Sequence, residues 1–143
     1  MKNILEYVTT AAAGELVNVA GASEIALDGY DPVAFFTEGK PTHGDPGVTS
    51  NYKGATYLFS SKAHKSQFDA NPSKYVPRFG GYCAYGVALG ALFPVDINTW
   101  QIRDGNLYLN LNPAIADEFG KGPDKFIARA DGNWPGLVKK YGR

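Results

Sequence analysis

Apolar residues alternate along some short runs of this chain and recur three or four apart along others, which divides it into hairpins and helices. In VTSNYKGATYLFSS, residues 48–61, β-favouring residues stand on both sides of Lys53-Gly54 and predict a hairpin. Val48, Tyr52, Tyr57 and Phe59 are its candidates to pack or pair. TWQIR and LYLNLN repeat the pattern around Asp104-Gly105, the strongest hairpin signal in the chain. Between the hairpins, SKAHKSQFDA has helical spacing, with Ser60 or Ser61 as cap and His64 and Phe68 four apart on one face. Asn71-Pro72 ends it. An earlier short helix starts at Asp31-Pro32, a cap followed by proline at the first helical position, and closes at Gly39. The C-terminal third predicts three short helices: PAIADEF to Gly120, DKFIARA to Gly132, and a last one near Asn133 with Pro135 in its first turn. Residues 1–24 carry no strong period and read as a peripheral arm before a single domain spanning 25–143.

Strands and helices are mixed without a βαβ rhythm, so the predicted class is α+β: a small antiparallel sheet or hairpins packed with several short helices. With 143 residues and 44% hydrophobic content the chain can bury one continuous core. Lys+Arg and Asp+Glu balance at 14 each, which excludes the basic footprint that nucleic-acid binding needs. Glu6 and two threonines interrupt the apolar N-terminal run, so neither a signal peptide nor a membrane span is predicted. Such a chain is cytoplasmic as written, or periplasmic or secreted if it is a processed form.

The only cysteine changes this picture. Cys83 lies in FGGYCAYG, where Gly80, Gly81 and Gly86 allow positive φ and close approach of a ligand. A helix beginning at AYGVALG would put the thiol near its N-terminus and favour the thiolate. His64 stands at a helix start, and His43 in the loop PTHGDPG. There is no CxxC, HExxH or DxDxDG pattern and no GK[ST] phosphate loop. One Cys and two His cannot close a structural zinc site, so a metal site must be open, borrow oxygen ligands, or be shared between two chains. Cys/His ligation suits Cu(I) or Zn(II). Two other readings remain: a thiol enzyme with Cys83 as nucleophile and His64 or His43 as base, and a non-catalytic interaction module with a packed thiol and an exposed apolar patch. No third member orients such a nucleophile, so binding is favoured over catalysis and no catalytic residue is assigned. Tyr82 and Tyr85 either pack or hydrogen-bond a ligand, Asp28 and Asp31 serve turns and caps, and Trp100 and Trp134 anchor the core.

ALDGYDPVAFF, YKGATYLFSSKAHKSQFDANPSKYVPRFGGYCAYGVALG and YLNLNP together resemble the YHS-domain family, in particular its small stand-alone bacterial-type members. The resemblance runs from about Ala26 to Trp134. It implies metal binding, because related modules accompany copper- and heavy-metal-transporting ATPases. Those modules show DPVCGM and CSxxC; here Ala34, Ser60 and His64 stand where they have cysteines. The Tyr/His/Ser pattern persists in Tyr57, His64 and Ser61. The implied site is therefore a soft metal, copper or zinc, on His64 and Cys83. Tyr57, Ser61, Tyr82, Tyr85 and His43 are accessory candidates. Two copies meeting across a two-fold axis would complete a Cys₂His₂ set in a homodimer.

Overall fold

Both turn dipeptides fold the chain back as their chemistry demands. In the computed structural model, which describes residues 15–20 and 24–142, Lys53 and Gly54 have φ of 50° and 82°, and Asp104 and Gly105 have 50° and 78°. Left-handed conformation at both central positions matches the twist of the strands they join. The first hairpin pairs β3 (Asp45–Tyr52) with β4 (Ala55–Phe59), the second β5 (Asp96–Arg103) with β6 (Asn106–Asn110). Two short strands, β1 (Val19–Ala20) and β2 (Ile25–Ala26), extend the first sheet in the order β1-β2-β4-β3. The β2–β4 pairing is parallel, at Ile25↔Thr56, so this sheet is mixed where an antiparallel one was expected.

Helices α1 (Ala34–Thr37), α2 (Lys62–Ala70), α3 (Pro72–Tyr75), α4 (Ala84–Ala88), α5 (Pro113–Gly120) and α6 (Pro123–Tyr141) complete the α+β fold. The core has two parts. Phe35, Tyr57, Phe59, Phe68, Leu107 and Leu109 form one. Phe79, Val87, Tyr108, Phe119, Ala130 and Leu137 belong to the other. Strand β6 serves both: its period of two sends Leu107 and Leu109 to the first and Tyr108 to the second.

One helix departs from the sequence reading. Gly132 and Pro135 do not split the C-terminal segment, which is a single 19-residue helix. Ile127, Ala130, Trp134 and Leu137 form an in-phase stripe in the second core, and Pro135 sits on the exposed side. The proline removes one main-chain hydrogen bond, a defect of about 3 kcal/mol in an isolated helix, which burial of the stripe offsets. Asn133 adds a tie, donating Nδ2 to the Val87 and Ala88 carbonyls at 2.9 and 3.1 Å and so closing the end of α4.

Of the arm expected over residues 1–24, positions 1–14 and 21–23 lie outside the described residues. Its described part is a strap laid on the domain. Val17 and Val19 pack on the first core and Leu16 on the second, while the Asn18 amide donates to the Gly80 carbonyl at 2.8 Å. No helix among the described residues is long and apolar enough to cross a membrane.

Candidate functional site

The helix cap at Asp31 becomes the centre of a buried polar cluster. Asp31 is 0% exposed, and its Oδ1 accepts the Val33 and Ala34 amides at 2.8 and 3.2 Å, which starts α1. Its Oδ2 accepts the Ser60 amide at 2.9 Å, the Ser60 hydroxyl at 2.7 Å and His64 Nδ1 at 2.7 Å. Burial works to raise the carboxyl's pKa. The Ser60 amide, the His64 ring and the Ser60 hydroxyl outweigh it and hold the group ionised below the usual carboxylate range. Helix α2 delivers His64 because the Ser61 hydroxyl caps it, accepting the His64 amide at 3.1 Å.

A carboxylate can only accept, so His64 carries a proton on Nδ1 and turns Nε2 away from Asp31. There Nε2 lies 3.2 Å from Thr37 Oγ1 and 3.9 Å from Glu38 Oε2, with side-chain exposure of 13% at His64 and 48% at Glu38. A buried carboxylate that orients an imidazole through one nitrogen is the usual outer partner of a metal-ligating histidine. Nothing in the sequence marks Ser60, Thr37 and Glu38 as partners of His64, and Asp31 reads there only as a turn or cap residue. Asp31 and Ser60 flank the first hairpin's outer ends, a closure that turn residues alone do not reveal.

The thiol lies elsewhere. Cys83 is 1% exposed and begins α4, pairing beside Leu109 of β6. Its Sγ accepts the Gly86 and Leu111 amides at 3.4 and 3.2 Å and donates to Asn110 Oδ1 at 3.6 Å. Burial pushes the thiol's pKa up, and amide hydrogen bonds from Gly86, Leu111 and Tyr85 do not reverse it. The expected thiolate is thus a neutral capping thiol. Asn110 Nδ2 is buried without a hydrogen-bond partner among the described residues, but an amide nitrogen donates and cannot ligate a metal. Among the described residues, none hydrogen-bonds both the His64 ring and the Cys83 sulfur, and no three His, Cys, Asp or Glu side chains are grouped to hold a metal ion. The residues do not fit a closed soft-metal centre. Native Cys83 should therefore react with iodoacetamide orders of magnitude more slowly than in denaturant. Cys83→Ser should keep the amide acceptor, while Cys83→Ala leaves buried donors unpaired and costs about 1–3 kcal/mol. Rapid native alkylation would contradict the buried cap.

The glycines around Cys83 have a different explanation from the one read in sequence. Phe79, Gly80 and Gly81 turn through left-handed φ values of 57°, 62° and 81°. A Cβ on Gly80 would lie 2.2 Å from the Leu16 carbonyl, and one on Gly86 2.5 Å from Phe93 Cδ2. Protein neighbours fill this space. Of the accessory candidates, Ser61 is the α2 cap. Tyr57 is buried against Phe68 at 5.1 Å between ring centres. Tyr82 and Tyr85 pack toward Trp134 and Phe126, at 6.5 and 5.0 Å. His43 stacks on Tyr30 at 4.3 Å, and the two residues form a bridge pair.

Fold and cluster together define a small α+β domain organised around a buried carboxylate–imidazole pair. Residues 33–78 match the YHS domain family; this stretch is a YHS domain. The match takes in Tyr57, Ser60, Ser61 and His64 and ends before Cys83. Ala34, Ser60 and His64 all meet Asp31 by hydrogen bond, Ala34 through its main-chain amide. Comparison with curated proteins gives no match, and neither does comparison with solved structures.

Proposed function

We propose that this protein is a metal-handling binding module whose protein ligand is His64, through Nε2, with Glu38 as the adjacent carboxylate. The observation that supports this reading is the Asp31–His64 contact of 2.7 Å, which orients the ring and leaves Nε2 beside Thr37 Oγ1 and Glu38 Oε2. Metal association is a property of the YHS family to which residues 33–78 are matched. One imidazole beside a carboxylate suits a borderline ion, Zn(II) or Cu(II), better than Cu(I), which prefers thiolates. Two protein ligands leave the remaining positions to water or to a second copy of the chain. Cys83 stays outside this site because its sulfur is interior.

Calorimetric titration of Zn(II) and Cu(II) into the wild type and three variants tests the reading. His64→Ala should weaken binding at least tenfold, Glu38→Gln less, and Cys83→Ser should leave it unchanged. Undiminished affinity in His64→Ala would sink the proposal; loss in Cys83→Ser alone would transfer the ligand role to the thiol.

A second reading, a metal-independent interaction module, draws on the loop after α4, where Leu89 and Phe93 are 59% and 40% exposed. It predicts no metal response and altered association in Leu89→Ser.

A further inference from the structure

On the side of the domain where the strap crosses, a cleft of about 320 Å³ opens between Glu15–Val17, the Lys53 turn and α6. It lies at the small end of the ligand-cavity range of about 300–1,000 Å³. Val17, Val76, Pro77, Phe79 and Trp134 give it an apolar body. Its rim carries no net charge. The Arg78 guanidinium is neutralised by Asp131 at 2.8 Å, and Lys53 and Glu15 contribute one charge of each sign. An ionised guest would find no surplus of opposite charge to offset its lost hydration, so the cleft suits a neutral one.

One polar group in the wall is unmatched. Tyr57 is 2% exposed and lines the cavity. Its ring packs on Phe68, and its hydroxyl has no hydrogen-bond partner among the described residues. Asn110 Nδ2 is the fully enclosed polar side-chain atom that shares this condition. The Tyr57 oxygen is not fully enclosed, and the open space that its side chain borders is the cleft. Burial, and then the Tyr52 phenol nearby, keep the hydroxyl protonated, so it is a donor without an acceptor. Buried phenols normally find such a partner, and an unmade bond there is costly. Lys53 and the Tyr52 hydroxyl add further donors to a lining whose single carboxylate is Glu15.

We infer that this cleft binds a small neutral carbonyl compound, a ketone, ester or amide with an apolar body, whose oxygen accepts a hydrogen bond from the Tyr57 hydroxyl. The unmatched donor sets the functional group, the neutral rim sets the charge, and the volume sets the size. Neither Asp31 nor His64 lines the cleft, so this inference and the metal reading stand or fall separately.

The test is a ¹H–¹⁵N correlation titration of the full chain with cyclohexanecarboxamide and, separately, with the cyclohexanecarboxylate anion. The amide should shift the main-chain resonances of Lys53 and Gly80 and the Trp134 indole N–H, and should bind more tightly than the anion. Tyr57→Phe should weaken amide binding about threefold to tenfold, the range of one net hydrogen bond. The same variant should keep the wild-type urea midpoint, because the hydroxyl has no protein partner to lose. Equal amide affinity in Tyr57→Phe, tighter binding of the anion, or no shifts around the cleft at high probe concentration would each overturn the inference. A lowered midpoint in Tyr57→Phe would overturn it too, since the hydroxyl would then already be satisfied within the fold.

Discussion

Replacing Asp31 with alanine is expected to destabilise the domain by about 3–5 kcal/mol, the scale for leaving several buried donors unpaired at once. A typical domain of this size has only about 5–15 kcal/mol in total, so the loss should appear as a large drop in the urea midpoint. The cause is not one bond. The carboxylate accepts from Val33, Ala34, Ser60 twice and His64, and alanine leaves those donors without it. His64→Ala removes one donor from a carboxylate that keeps four, at a half-buried position, and should cost only about 1–2 kcal/mol. That difference separates the two roles: Asp31 variants lose stability, whereas His64 variants lose the Nε2 beside Thr37 and Glu38 at a smaller cost to the fold.

The same cluster gives a pH signature. The folded carboxyl's pKa is depressed below the ordinary 3.8, so the unfolded chain takes up this proton first as pH falls. Asp31's contribution is complete above the unfolded value and is lost as pH descends through the folded one. Stability should decline steeply below about pH 4, and Asp31→Asn should flatten that limb while being less stable at pH 7. An unchanged acid limb in Asp31→Asn would assign the transition to other carboxyls.

Gly80→Ala should be the second large effect, about 3 kcal/mol. The new Cβ meets a left-handed φ of 62° and stands 2.2 Å from the Leu16 carbonyl and 3.2 Å from Trp134. Main chain cannot swing aside as a side chain can. The strap should detach, which limited proteolysis around Glu15–Asn18 would report together with the lowered midpoint. Gly86→Ala is the instructive contrast. Its Cβ also meets close neighbours, Phe93 Cδ2 at 2.5 Å and the Ala91 carbonyl at 3.3 Å, but the nearer one belongs to a side chain 40% exposed and Gly86 has no left-handed φ. A cost below about 1 kcal/mol is expected there. Equal costs at the two positions would mean that the strap does not hold Gly80.

These cases also mark what the chain discloses before it folds. Lys53-Gly54, Asp104-Gly105 and the Ser61 cap were legible because each acts within a few residues, through φ preferences and short side-chain acceptors. The continuity of α6 was not. Pro135 and Gly132 are local stop signals, and what overrides them is the packing of Ala130 and Leu137 on a distant helix. The glycines near Cys83 were legible as points of close approach; what approaches, Leu16 and Phe93, was not. For the candidate site, His64 could be picked out as a polar residue at a helix start. Asp31's part in orienting it could not, since the two are 33 positions apart and meet only when α1 and α2 converge.

Strand β6 lends the molecule a single melting unit. Leu107 and Leu109 are committed to one core while Tyr108, between them, is committed to the other. A slip of one residue would exchange these commitments, turning Tyr108 toward the Phe35, Phe59 and Phe68 core and the leucines toward Phe79 and Phe119. Neither half can loosen without drawing this strand out of its neighbour. Openings large enough to expose one core should therefore expose both, and the Asp31 cluster shares its lifetime with the whole.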